Sequence, residues 1–316
     1  MPNPDPQPNL VSEEQQPSLT DGTLFPVSLE TEDATIRAPG KTRHQPAPVT
    51  DHQKELVKIF ERLAGGRHSR WQVFADFCEM AAISFSNAVD LTQREAREAE
   101  YMKIIKKYDR AEVELFPQAL GELVLAMEQH SSDVLGRVFH DLELHNKWAG
   151  QFFTPYDVSR MMAKMTIGDG DDLRERIARR GFVTAQEPAV GSGAMVIALA
   201  EEMHNAGINY QEHLHVRAVD IDLKCVHMAY VQFSLLHIPA IITHGDSLAL
   251  KEYSHWYTPA HILGEWNEKF QRQAAIEKMF ELITAPPVPI VKADPPTVEE
   301  SSAELPRFPA SQLTLF

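Results

Sequence analysis

Apolar positions over residues 51–145 recur at helical spacing. Leu56, Ile59, Phe60 and Leu63 fall at i, i+3, i+4 and i+7, one face of an amphipathic helix that Gly65-Gly66 ends. Trp71, Phe74, Phe77, Cys78 and Ala81 make a second stripe. Thr92 followed by Glu95 has capping-box spacing, which predicts a charged helix from there through Tyr108. A further helix is expected over 112–129, burying Leu115, Leu123 and Met127. Ser132-Asp133 caps one more, with Val134, Leu135, Val138, Phe139 and Leu142 inward.

Near Gly150 the style changes. Gly150-Gln151-Phe152-Phe153-Thr154-Pro155 reads as a loop leading into a helix with Val158, Met161, Met162 and Met165 on one stripe. That stripe is expected to pack in the core. A polar turn at 168–172 and a basic helix at 173–180 follow. Short apolar runs at 182–186, 214–219 and 240–244 then alternate with helical patterns at 194–205 and 223–237, which predicts a parallel α/β sheet. A helix over 260–283 closes the folded body.

Composition sharpens the boundaries. Of 21 prolines in 316 residues, nine lie in 1–48 and seven in 284–316. Proline lacks an amide donor and fixes φ, so both ends are expected to be disordered Pro-rich tails. Between them the expected units are a helical domain at 49–148 and an α/β domain at 149–283. The longest wholly apolar stretch, 194–200, is far short of the ~20 residues a membrane span needs. The acidic, Pro-rich start has no basic region ahead of an apolar one, so no secretory signal is expected. Cys78 and Cys225 lie outside any CxxC, which fits a reducing cytoplasm. A net charge of −15 argues against strong nonspecific nucleic-acid binding by the chain alone. His213 and His215 alternate on one strand face without a HExxH or Cys/His cluster, so no metal site is expected.

The candidate chemistry sits at the strand tips. Glu187-Pro188-Ala189-Val190-Gly191-Ser192-Gly193 forms a strand-to-helix turn whose glycines let a ligand approach the backbone and the free helix amides. The second strand ends in Asp220-Ile221-Asp222, where a carboxylate accepts from a ribose diol; Asp222 is equally placed to cap the next helix. The third ends in Gly245-Asp246-Ser247, where a carboxylate can accept from an adenine amine. The three tips read as an adenosine-type site without the diphosphate cradle that NAD requires.

In this order of motifs, residues 133–250 resemble the N6-adenine DNA methyltransferases, specifically the modification subunits of type I restriction–modification systems, although that family usually has Asp at the position of Glu187. The resemblance implies a Rossmann-like S-adenosylmethionine (SAM)-dependent methyltransferase domain, with a truncated parallel sheet, preceded by a helical domain. It implies that Phe153, Thr154 and Glu187 flank the cofactor, that Gly191 and Gly193 pass beneath it, that Asp220 binds the ribose and Asp246 the adenine. It also implies DNA as substrate, with target recognition in a separate specificity subunit.

The family transfers its methyl group with an Asn/Asp-Pro-Pro-aromatic motif that draws the adenine amine towards sp³ geometry and stacks a flipped base. After Asp246 the chain reads Tyr253-Ser254-His255-Trp256-Tyr257-Thr258-Pro259, and the only similar run is Asp294-Pro295-Pro296-Thr297, which lacks the aromatic. The catalytic residue is therefore unassigned. SAM binding with weak or absent methyl transfer by this chain alone is the expectation, and the alternative is a degenerate SAM-binding adaptor. With the sheet cut short, the first strand is expected to present an edge that another chain, self-association, the helices or the tail must cover. The last residues, Gln312-Leu313-Thr314-Leu315-Phe316, resemble the bacterial sliding-clamp binding peptide, with Leu313, Leu315 and Phe316 for an apolar cleft and Gln312 for its rim.

Overall fold

The computed structural model describes residues 50–144 and 153–284. The expected tails, Gly150-Gln151-Phe152, the Asp294-Pro295-Pro296 run and the terminal peptide lie outside the described residues.

Helices α1 (His52–Ala64) and α2 (Arg70–Val89) start at Asp51 and Ser69, whose side chains accept from Lys54 N and Gln72 N. Phe60 of α1 meets Phe74 and Phe77 of α2 edge-on at 5.8 and 5.0 Å. The expected Thr92 cap does not form. Helix α3 (Arg94–Ile105) begins after Gln93 without a side-chain cap, because Asp90 takes both the amide and hydroxyl of Thr92. Asp90 in turn pairs with Arg97 at 3.0 Å. The helix expected over 112–129 is two: α4 (Arg110–Val113), opened by an Asp109/Glu112 capping box, and α5 (Leu115–Gln129). Helix α6 (Val134–Asp141) starts at Asp133, whose carboxylate accepts from Gly136 N at 2.8 Å.

Helix α7 (Tyr156–Ile167) corrects the reading of the methionines. Its buried residues are Ser159, Ala163 and Ile167, while Met161, Met162 and Met165 are 57, 45 and 78% exposed. The periodicity marked one face correctly, but the small face packs on the helix Ala194–Asn205 and the large one faces out. Helix α8 (Asp171–Arg180) leads to β1 (Val183–Glu187), α9 (Ala194–Asn205), a turn of helix α10 (Tyr210–His213), β2 (Leu214–Asp220), α11 (Leu223–Leu235) and β3 (Ala240–Asp246).

Among the described residues the sheet order is β1-β2-β3-β4. The first three strands are parallel, Val183 facing Leu214 and Val216 facing Ala240. Strand β4 (Lys251–Tyr257), to which the sequence pattern assigns no element, returns antiparallel to β3 through a bulge at His244/Gly245. The sheet is therefore mixed. The long closing helix is also two, α12 (Pro259–Leu263) and α13 (Trp266–Thr284), broken at Gly264 and at Glu265, whose φ is +51°.

One hydrophobic core runs from Leu56 and Phe77 through Leu135 and Phe139 to Val216 and Ile242. Arg97 ties the helices to the sheet, donating to the His255 carbonyl at 2.9 Å and lying 4.0 Å over the Trp256 ring. None of the described helices is long and apolar enough to cross a membrane. Among the described residues no group of three or more His, Cys, Asp or Glu could hold a metal ion.

Candidate cofactor site

The turn after β1 folds back over the tip of β2. Val190 N donates to Val219 O at 2.9 Å, and Gly193 N to Val190 O at 2.8 Å. Gly191 has φ +54°, and a Cβ there would stand 3.1 Å from the Phe153 ring, so glycine answers both the backbone and the close aromatic. Its N–H donates to Asp220 Oδ2 at 2.8 Å, while Asp220 Oδ1 accepts from Asp222 N at 2.9 Å. Burial raises the Asp220 carboxyl above its ordinary value, and these backbone donors oppose the rise. Asp222 Oδ1 accepts from Lys224 N and caps α11, as its position suggested.

A cavity of about 290 Å³ opens here, lined by Phe153, Thr154, Gly191, Ser192, Met195, Asp220, Ile221 and Cys225. Four expected site residues thus share one space: Phe153, Thr154, Gly191 and Asp220. The other three do not line it. Gly193, at φ +100°, sits where a Cβ would press to 2.6 Å on the Phe233 ring, so it serves the packing of α9 on α11. Glu187 accepts from Ala189 N at 3.1 Å and lines a neighbouring cavity of about 430 Å³ with Arg217, Thr243 and Tyr257. Burial raises its carboxyl as well. Asp246 stands at the adjacent strand tip, but its Oδ1 closes the β3–β4 turn by accepting from Leu248 N and Ala249 N, both at 2.9 Å.

A buried polar cluster holds the turn from behind. Asp133 Oδ2 accepts from Ser192 Oγ at 2.5 Å, and Asp133 Oδ1 accepts from Gln232 Nε2 at 2.9 Å. Gln232 Nε2 also donates to Ser192 O at 2.7 Å, and its Oε1 accepts from Leu135 N at 3.0 Å. Asp133, placed by the sequence at a helix cap and at the start of the stretch that resembles the family, therefore fixes the second residue of the Gly-Ser-Gly turn.

The residues present fit an adenosyl cofactor. The cavity is near the lower end of the roughly 300–1,000 Å³ usual for ligand pockets. It combines a carboxylate on a strand tip, an exposed turn backbone and an aromatic wall. Parallel strands with a cavity over their carboxyl ends define a Rossmann-like domain of the class that binds nucleoside cofactors.

Comparison with known proteins agrees with that class. The family model for N-6 DNA methylase matches residues 130–293, just over half of the chain. The chain belongs to the N-6 DNA methylase family, a SAM-dependent methyltransferase family. A solved protein from Listeria monocytogenes, described as a class I S-adenosylmethionine-dependent methyltransferase, is similar at 14% identity and a TM-score of 0.35, covering 62% of this chain and 54% of that one. The chain thus spans about half the length of that protein. No curated protein matches the sequence.

Proposed function

We propose that this chain binds SAM in the Asp220–Gly191 cavity and serves, on DNA, as a modification-subunit-like protein of the adenine-N6 type. The observation that carries the reading is the 2.8 Å bond from Gly191 N to Asp220 Oδ2 at the lip of a cavity shared with Phe153 and Thr154. Asp220 is the group to hold the ribose hydroxyls, Thr154 and Phe153 lie against the methionyl end, and Gly191 lets it pass. Asp246 spends Oδ1 on its turn, which leaves Oδ2 for an adenine amine. Bound SAM supplies an electrophilic methyl group on a sulfonium. The carboxylates of this chain favour that cation and fix its orientation. Target recognition is assigned to a separate specificity subunit, and the two free buried cysteines suit the cytoplasm.

A second reading is favoured by the path of the chain after Asp246. Residues 247–284 form a hairpin strand and two helices, with no Asn/Asp-Pro-Pro-aromatic run among them. On this reading the protein is a SAM-binding adaptor held at the sliding clamp by Gln312, Leu313, Leu315 and Phe316. Calorimetric titration with SAM tests the site: Asp220→Asn is expected to weaken binding about tenfold or more, the worth of hydrogen bonds to a charged group. Absent binding, or equal binding by the variant, refutes the site. Transfer of labelled methyl to adenine-containing DNA then separates enzyme from adaptor, and clamp pull-down with Leu315 and Phe316 replaced by Ala tests the peptide.

A further inference from the structure

We propose that the cavity between the α5–α6 connection and helices α7 and α9 is a second ligand site. Its ligand is a small compound that carries a phosphoryl or carboxylate group on an apolar or aromatic body. The cavity measures about 680 Å³ and shares no lining residue with the cofactor cavity. That volume lies within the roughly 300–1,000 Å³ usual for ligand pockets.

Arg137 of α6 sets the charge of this site. It lines the cavity, is half-buried and has no ion pair among the described residues. Its Nη2 donates to Ser132 Oγ at 2.5 Å, while Nε is buried with no hydrogen-bond partner. A guanidinium drawn partly out of water gives up hydration that a counter-ion must restore. The carboxylates around it are engaged or exposed. Glu201, inside the cavity, lies 2.7 Å from Tyr156 OH and 3.3 Å from Arg160 Nε. Asp51, whose carboxyl feels the charge of Arg137, pairs with Lys54 at 2.8 Å. Asp157 lines the cavity but is exposed to solvent.

The missing partner of Arg137 is therefore an anion from outside the chain. A carboxylate or a phosphoryl group offers two oxygens to the guanidinium fork. His130, Ser131 and His204 line the same space and add donors for the oxygens that remain. The rest of the lining suits a carbon body. Ile197 and Ala200 of α9 are 1% and 2% exposed, and Leu236 and Tyr210 continue that surface. Tyr210 OH is taken by the Leu236 carbonyl at 2.9 Å, so its ring is what remains for a ligand.

The site does not depend on SAM binding, and NMR titration of the full chain without SAM tests it. The probes are phenyl phosphate and benzoate, with inorganic phosphate for comparison. At least one aromatic probe is expected to bind more tightly than inorganic phosphate, and the tighter of the two names the anion. Arg137→Gln is expected to weaken that binding about tenfold or more, the worth of hydrogen bonds to a charged group. Asp220→Asn, in the cofactor cavity, is expected to leave it unchanged. Urea unfolding without any probe gives a second reading. Arg137→Gln removes a charge that the protein does not match, so its midpoint is expected to be equal or higher. Absent binding of both aromatic probes, equal binding by Arg137→Gln, or loss with Asp220→Asn instead overturns the proposal. So does a lower urea midpoint for Arg137→Gln, since that shows a guanidinium already satisfied within the protein.

Discussion

Replacing Gln232 with Leu keeps nearly the same volume but strips the polar cluster behind the glycine turn. Gln232 is fully buried, and Asp133 and Ser192 are 3% and 1% exposed, so no water replaces what is lost. The variant leaves Leu135 N–H and Ser192 C=O without the partners found at 3.0 and 2.7 Å, and takes one of the three donors from the Asp133 carboxylate. Each of the two orphaned buried groups costs about 1–3 kcal/mol, so the sum is about 2–6 kcal/mol, a large part of a typical domain's stability. Urea unfolding reads this as a midpoint lower by about 0.7–2 M at an unchanged slope of about 3 kcal/mol/M. A double-mutant cycle with Asp133→Ala is expected to show coupling of about 1 kcal/mol or more. A midpoint shift under about 0.3 M, or full additivity, would refute the claim that these bonds hold the turn.

Further outcomes follow from the same structure. Met161→Gln and Met165→Gln are expected to change stability by no more than about 0.5 kcal/mol, whereas Ile167→Ala costs about 2–4 kcal/mol in thermal denaturation; a large methionine effect would restore the core reading of that stripe. His215 Nε2 and His261 Nδ1 lie 2.9 Å apart, and burial lowers their pKa values to about 3 and about 4 from the ordinary 6.5. The unfolded chain binds protons there that the folded chain refuses, so stability is full above about pH 6.5 and is lost as pH falls towards 4 and 3. Urea midpoints against pH check this, and His215→Phe should flatten the acid side. Burial pushes both the Cys78 and Cys225 thiols up, so neither should react with a thiol reagent until the chain unfolds.

Sequence pattern reached the parts of the fold whose burial leaves a regular apolar trace. The Leu56/Phe60/Leu63 stripe shows itself because water is excluded from one face of α1, and the apolar runs of β2 and β3 because both faces of those strands are largely covered. Strand β4 does not, since Lys251-Glu252-Tyr253-Ser254 alternates nothing apolar and its buried anchor is the single Trp256. The α7 stripe misled for a different reason. Period assigns residues to a face but not the face to a neighbour, and Ser159 and Ala163 permit a close helix contact that methionines would prevent. In the site, Gly191 and Asp220 were legible because a strand tip and a following turn are local. The Asp133–Ser192–Gln232 cluster joins positions 59 and 40 residues apart, and no local rule connects them.

The position of the glycine turn explains why the helices matter to the site. Among the described residues the turn rises from a strand held on one side only, so β2 supplies just two of its anchors, Val219 O and Asp220 Oδ2. The rest come from outside the sheet. Asp133 at the start of α6 holds Ser192, and Phe139 of the same helix sits 4.9 Å from the Phe153 ring that closes over Gly191. Phe139 is in turn packed 5.8 Å from both Trp71 and Phe74 of α2. The wall and the floor of the cavity are therefore set by α2 and α6, and the helical region acts as the second flank of β1's turn rather than as a separate appendage. The turn is thereby anchored by β2 and the helices without a neighbour on the other edge of β1 among the described residues, which is what orienting a small cofactor before any partner binds requires.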